Sequence, residues 1–306
     1  MSSVIKNIGP LTTVAMISSD LLAVLSYTSS YLQGVANRAS GNVVYDFFMG
    51  TYLNPRFLNL DLKMWGEIRV AWIMLFFLTL SAAVTQYEQL GYLTTPMMFM
   101  LTAHGLYTNA CMKGEECIPT TWDVFYEQWG WMLIYWNFCG VPFVYCAQSM
   151  YIMRQLPFDH HPLYNAALFG VLITAYYIWD TAQSQRNRFR MMDNGSFVKR
   201  WAFPQLPWGT LHNPAYMLTK RGSKLLLDGW WRYARKIHYT CDIVMALCWG
   251  LCCGFQHFLP YFYFVFFLGM ILHRAARDDH KCSEKYGEDW VKYIQTVPHL
   301  FIPGVY

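Results

Sequence analysis

Five stretches of this 306-residue chain, residues 70–87, 89–112, 128–153, 162–179 and 243–272, contain no Asp, Glu, Lys or Arg. Each reaches the roughly 18 residues that make an apolar segment a candidate for crossing a bilayer. Only 14% of the chain is charged, against about 25% in soluble domains, while 55% is hydrophobic and 18% aromatic. An ordinary soluble domain is excluded. The expected fold is all-α: a polytopic membrane helical bundle of about six or seven spans.

Those spans are rich in Tyr, Trp, Gly, Thr and Cys, and they include His104, Asn137 and Gln148. Lipid-facing surface needs no such residues, so they read as contacts between helices or as the lining of a cavity. Six of the nine cysteines (Cys139, Cys146, Cys241, Cys248, Cys252, Cys253) sit in apolar surroundings, where the side chain acts as a small hydrophobe. None shows ligand spacing, so no metal site is expected. The start carries one Lys and leads into a stretch interrupted by Asp20, which does not read as a cleavable signal.

The first span is expected over about residues 11–32, with Asp20 in need of a partner because a lone acid in hydrocarbon is costly. Residues 34–69 read as an interfacial loop, and further spans are expected at about 68–87, 94–112, 129–153 and 163–179. The last apolar run is 30 residues, about 45 Å as one helix against a hydrocarbon core of about 30 Å. It suits a tight hairpin of two short helices, broken near Cys253-Gly254 or at Pro260. Such a hairpin would bring His273 to Asp279 close to Arg186 and Trp230.

Charge is concentrated. Residues 181–240 hold eleven of the 23 Lys and Arg, against only Asp193 and Asp228. Either this stretch sets topology as a cytoplasmic segment and attracts anionic lipid, or it holds a polyanionic ligand, since arginine forks such as Arg186, Arg188 and Arg190 bind phosphate bidentately. The expected division is residues 1–180, helices lining a lipid-substrate side, and 181–306, a cytoplasmic-facing part. Its charges alternate with Trp, Leu and Pro beside spans, so nucleic acid is not an expected partner.

Three stretches could carry chemistry. Gly229 to Asp242 joins two adjacent indoles to a run of rings, bases and acids, able to stack on a planar heterocycle. His273 to Tyr293 alternates charge and adds Tyr286, Trp290 and Tyr293. A third group holds Tyr107, Glu115, Glu116 and Asp123.

Taken with Tyr45-Asp46-Phe47-Phe48-Met49-Gly50, Leu53-Asn54-Pro55-Arg56, Val141-Pro142-Phe143-Val144-Tyr145-Cys146-Ala147-Gln148, Ser184-Gln185-Arg186-Asn187-Arg188-Phe189-Arg190 and Ile302-Pro303, these stretches give a chain that resembles the sterol reductase family. That family includes the delta-14, delta-7 and delta-24(24(1)) enzymes and the lamin-B receptor. The resemblance covers roughly residues 41–306. It implies NADPH-dependent reduction of a sterol carbon-carbon double bond in the endoplasmic reticulum membrane, with a sterol as substrate and membrane lipid and other sterol-biosynthesis enzymes as candidate partners. Carried over by motif, it puts Arg186 and Arg190 on the cofactor's phosphates. Trp231, His238, Asp242, Arg274, Asp278 and Tyr293 are expected along the rest of the cofactor pocket. Tyr107 is the expected proton donor, helped by Glu116 or by a path through Asp278. An unactivated alkene accepts hydride poorly, so protonation has to come first, leaving a tertiary cation at carbon 24.

Lys236-Ile237-His238-Tyr239 replaces the more usual His-x-Asn-Tyr, and it resembles the delta-24(24(1)) branch. Side-chain reduction, the last step of ergosterol biosynthesis, is therefore preferred over delta-14 or delta-7 ring reduction. Members of the family usually carry further spans before the Tyr-Asp-Phe-Phe motif, so the chain is expected to be N-terminally short. Two other readings are an isoprenylcysteine or phospholipid methyltransferase, whose C-terminal pattern is similar, and a non-catalytic sterol-binding scaffold.

Overall fold

The computed structural model describes residues 1–120, 122–199 and 201–304, without the side chains of residues 116, 119, 120, 122 and 123. The chain forms two compact units, Met1–His160 and His161–Tyr306. Helix dominates because a backbone in hydrocarbon must satisfy its own hydrogen bonds. Among the described residues, four helices are long and apolar enough to cross a membrane: Ile8–Leu32, Leu62–Leu90, Pro162–Asp193 and Leu259–Tyr286. The segments Thr95–Lys113, Trp131–Tyr135 with its continuation, and Ile237–Leu251 are less apolar, interrupted or shorter.

In the first unit, α1 (Ile8–Leu32) hides its hydroxyls by donating them to carbonyls one turn back, as Thr12 does to Ile8 (2.7 Å) and Ser19 to Ala15 (2.7 Å). Asp20 has the partner the sequence demanded: the Trp131 indole N–H donates to its Oδ1 at 2.7 Å. The stretch expected to be an interfacial loop is more ordered than that. It contains α2 (Val43–Met49), whose N-cap Asn42 accepts from the Val44 and Tyr45 amides, and a small antiparallel pairing of Arg56–Phe57 with Leu60–Asp61.

Asp46 of α2 is buried. Its carboxylate accepts from the Ser40 amide (2.8 Å), the Ser40 hydroxyl (2.7 Å) and the Gly41 amide (3.1 Å), and these donors hold its carboxyl below the usual carboxylate range. Gly50, at φ +100°, ends the motif against a second glycine: a Cβ on Gly50 would lie 2.6 Å from the Gly130 amide nitrogen, and one on Gly130 would fall on the Gly50 amide. Beside this contact the Trp129 amide donates to the Tyr52 carbonyl at 3.0 Å.

Helix α3 (Leu62–Leu90) begins earlier than its apolar run because Lys63, fully buried, donates its ammonium to the carbonyls of Glu127 (2.8 Å) and Val124 (3.3 Å). A charge is thus tolerated at the helix start. Helix α4 (Thr95–Lys113) follows a turn in which Gln86 accepts from the Thr94 amide at 3.1 Å. The span expected at 129–153 is not one regular helix. It runs as α5 (Trp131–Tyr135), a π-helical stretch Trp136–Val144 containing Pro142, and, after a turn at Tyr145-Cys146, α6 (Ala147–Arg154). Proline supplies no amide hydrogen to the helical ladder, and the widened turn accommodates it. Polar residues of this unit join helices: His104 Nδ1 lies 2.7 Å from Thr79 Oγ1, which accepts from Ser149 at 3.2 Å.

In the second unit, α7 (Pro162–Asp193) starts with Pro in its first turn and His161 as N-cap, then continues well past its charge-free stretch. The division expected at residue 180 falls inside this unbroken helix, and the units part at His160–His161 instead. A hairpin pairs Tyr216–Leu218 with Lys224–Leu226. After a single turn, Gly229–Arg232, come α8 (Ile237–Leu251), α9 (Phe262–Tyr286) and the short α10 (Glu288–Thr296). The expected break holds, spanning Gly254 (φ +77°) and Pro260. The second arm is not short: it is one 25-residue helix carrying His273 to Asp279, with His273 and Arg277 exposed and Arg274, Asp278 and Asp279 half-buried.

Two outcomes follow from the first unit. Gly130→Ala forces the Gly50 and Gly130 backbones apart, with an expected loss of about 1–3 kcal/mol read as a lower Tm in detergent. Asp46 has a depressed folded pKa, so its stabilisation is present above about pH 4 and disappears as pH falls through the lowered value. Asp46→Asn therefore lowers Tm at neutral pH and flattens the acid limb of a Tm-against-pH curve.

Candidate functional site

In the second unit, polar groups of α7 meet the turn 229–232. Gln185 of α7, fully buried, donates its amide to the Trp208 carbonyl (2.8 Å) and accepts the Trp230 amide (3.0 Å). Gly229, at φ +61°, is the residue that permits this, since a Cβ there would meet the Gln185 carbonyl oxygen and lie 2.9 Å from Leu211 Cδ1. The adjacent indoles are then fastened to successive residues of α7: Trp230 Nε1 donates to Thr181 Oγ1 (2.8 Å) and Trp231 Nε1 to the Ala182 carbonyl (2.9 Å).

From that anchorage a column of rings extends. The Arg186 guanidinium lies 4.7 Å from the Trp231 ring centre, Trp231 is 5.1 Å from His238, and His238 is 4.2 Å from Tyr239. His238 is buried, and its Nδ1 has no hydrogen-bond partner among the described residues. Lys236 forms an ion pair with Asp278 of α9. The Tyr239 phenol feels the charges of Arg274, Asp278, Arg186 and Asp242, and Asp242 has Trp179 and Arg274 as polar neighbours. Tyr293 of α10 donates to the Leu226 carbonyl at 3.3 Å. Burial pushes its phenol up to about 12, so it stays neutral although the charges of Arg235, Arg186 and Arg190 reach it.

Every residue expected in the cofactor pocket thus belongs to one neighbourhood of one unit. The sequence did not announce what braces it. The C-terminal segment runs behind residues 235–240: Arg235 donates its guanidinium to the carbonyls of Val297 (2.7 Å) and Pro298 (2.8 Å) and its amide to His299 (2.9 Å). The Lys236 amide reaches Leu300 (2.8 Å) and the Thr240 hydroxyl reaches Phe301 (2.7 Å). Gln185 and Lys236 stand inside the quoted motifs, where their clamping roles carried no separate signal.

The residues expected to supply the proton lie elsewhere. Tyr107 is half-buried on α4 of the first unit, edge-on to Trp72 at 4.6 Å. Trp72 also faces Tyr145 (6.3 Å), whose hydroxyl accepts from Trp136 Nε1 at 3.1 Å. Glu115 pairs with Arg69. The side chains of Glu116 and Asp123 lie outside the described residues. Asp278, expected to assist Tyr107, belongs to the second unit.

Chemically, the second-unit site offers guanidinium groups for phosphate oxygens, ring faces for a planar group and a buried imidazole nitrogen awaiting a hydrogen-bond partner. That set fits a phosphorylated nucleotide cofactor.

Known proteins place the whole chain. It is 47% identical over 98% of its length to the Delta(24(24(1)))-sterol reductase of Gibberella zeae, covering 51% of that protein. It is 46% identical to the Delta(24(24(1)))-sterol reductase erg4A of Aspergillus fumigatus over 98% of this chain and 64% of that one. Against the Delta(14)-sterol reductase of Methylotuvimicrobium alcaliphilum the figures are 36%, 98% and 67%. The chain therefore spans between about half and two thirds of the length of these relatives. The model of the Ergosterol biosynthesis ERG4/ERG24 family matches residues 1–306, in keeping with the helical membrane fold, and the chain belongs to that family.

Proposed function

We propose that the protein reduces a carbon-carbon double bond of a membrane sterol with NADPH, and that the bond is the delta-24(24(1)) bond of the side chain. The observation that carries this reading is the graded likeness: 47% and 46% identity to two delta-24(24(1)) reductases against 36% to a delta-14 reductase. The match runs through the whole chain, which a methyltransferase reading of its C-terminal pattern does not explain. Four helices long and apolar enough to cross a membrane support a multi-pass place, which we assign to the endoplasmic reticulum membrane.

When bound, the reduced nicotinamide supplies hydride. Arg186 and Arg190 would hold its phosphates, with Arg186 pre-oriented by Trp231 and by its bond to Gln183 at 3.1 Å. The buried rings of Trp231 and His238 would brace it from behind, and His238 Nδ1 would offer a polar contact in a dry setting. Asp242 and Asp278 would meet donors on the ligand while Arg274 and Lys236 keep the local charge balanced. Tyr107 holds the proton that the alkene takes first, and the aromatic wall of Trp72 and Tyr145 around it favours a developing cation.

Expression in a host lacking the side-chain reductase tests the reading, with the sterol profile as readout. Restored 24(28)-saturated sterol is expected; restoration of a ring reductase alone would reassign the bond, and no change in either host favours a scaffold. Tyr107→Phe is expected to lower turnover by about 10²–10⁴-fold with cofactor binding unchanged, and full turnover would remove Tyr107 from the mechanism. Arg186→Met removes charge-assisted bonds of about 1.5–3 kcal/mol each and should weaken NADPH binding tenfold or more by titration. Binding of S-adenosylmethionine instead would reverse the ranking. Lys236→Met, which strips Asp278 of its counter-charge, should lower Tm more than the double change Lys236→Met with Asp278→Leu.

A further inference from the structure

One conspicuous feature of the second unit is used by none of this chemistry. After α7 ends at Asp193, residues 196–199 and 201–208 leave the helix without regular structure. Three of their apolar side chains are largely exposed: Val198 is 70% exposed, Trp201 79% and Phe203 70%. The Trp201 and Phe203 rings lie side by side, centres 6.3 Å apart.

Where the segment returns is fixed by hydrogen bonds to α7. Tyr177 donates its hydroxyl to the Pro207 carbonyl at 3.1 Å, and Gln185 donates to the Trp208 carbonyl. Tyr177 precedes the end of α7 by about sixteen residues, ~24 Å of helix. It stands where the charge-free stretch 162–179 stops and the polar part of the helix begins. Beyond it toward the N-terminus, α7 exposes Val171 and Ile173, an apolar face suited to lipid. The segment therefore comes back from the polar end of the helix to its boundary with the apolar part. Aromatic side chains concentrate at that level in membrane proteins because their rings suit the headgroup region. Lys199 within the segment adds positive charge for lipid phosphates.

We propose that Val198, Trp201 and Phe203, between the end of α7 and Trp208, form a membrane-docking loop tip whose side chains lie in the interfacial zone of the bilayer that α7 crosses. The loop's inner end is built into the candidate site, since Trp208 packs edge-on against Trp230 at 4.9 Å. Lipid contact at the tip thus bears on the same turn that carries Trp231. This inference rests on the membrane fold and on loop geometry, not on the reaction assigned above.

The test uses the full chain in nanodiscs of phosphatidylcholine and phosphatidylserine, with the photo-crosslinking residue p-benzoylphenylalanine placed singly at Trp201 or Phe203. Leu25, exposed on α1, serves as the lipid-facing control, and Glu288, whose side chain is 78% exposed on α10, as the control away from lipid. Mass spectrometry after illumination should find phospholipid adducts at 201 and 203, as at 25, and none at 288. Adducts to a second copy of the chain, adducts within the chain, or an absence of lipid adducts at 201 and 203 while 25 reacts would each overturn the proposal. Size-exclusion profiles that match the unsubstituted protein establish that the labelled chains are folded. Sterol turnover is not the readout, so failure here is distinct from failure of the reductase reading.

Discussion

The amide of Gln185 is the contact on which the second unit depends. One side chain, buried on a helix that starts as a span, satisfies the carbonyl of Trp208 and the amide of Trp230 together. Backbone groups that leave water without partners cost more than a typical hydrogen bond returns. A loop and a turn that share one buried partner are therefore locked to the same helical position. Gly229 makes the approach sterically possible, and the indole bonds to Thr181 and Ala182 extend it along α7. The placing of Trp231, and with it the Arg186 and His238 contacts, follows.

Around that anchor, the unit carries charge without scattering it. Lys236 and Asp278 neutralise one another, Arg235 is consumed by carbonyls of the C-terminal segment, and Lys224 pairs with Asp193 at 2.5 Å. Arg186 meets a ring face and an amide oxygen, while Arg190 is exposed. Guanidinium groups held this way are oriented before a ligand arrives, which reduces the entropy lost on binding. The first unit follows a different rule. Its polar residues, among them Thr79, His104, Ser149 and Asp20, are spent on joining helices, as expected where no water competes for them.

Much of this was legible in residues. The charge-free runs announced a helical membrane protein, the 30-residue run announced a hairpin, and Asp20 announced a missing partner. Motifs singled out Arg186, Trp231, His238, Asp242, Arg274, Asp278 and Tyr293, and the structure brings them into one neighbourhood, where their binding roles are those proposed above. Less legible were features whose cause lies far away in sequence. The irregular course of residues 131–154 is one, and the continuation of α7 and α9 through charged residues is another. So are the strap of 297–301 behind 235–240 and the glycine contact that makes Gly50 and Gly130 obligatory.

The sequence by itself determined what each segment needs: apolar runs need lipid or each other, a lone carboxylate needs a donor, clustered arginines need anions. These are local demands of solvation, and composition and spacing express them. Which partner answers each demand was decided only by tertiary structure. Trp131 answers Asp20, Ser40 and Gly41 answer Asp46, Asp278 answers Lys236, and Gln185 answers two backbone groups at once. A hydrogen bond or ion pair is a matter of ångströms, and no periodicity along the chain specifies a contact between residues tens of positions apart.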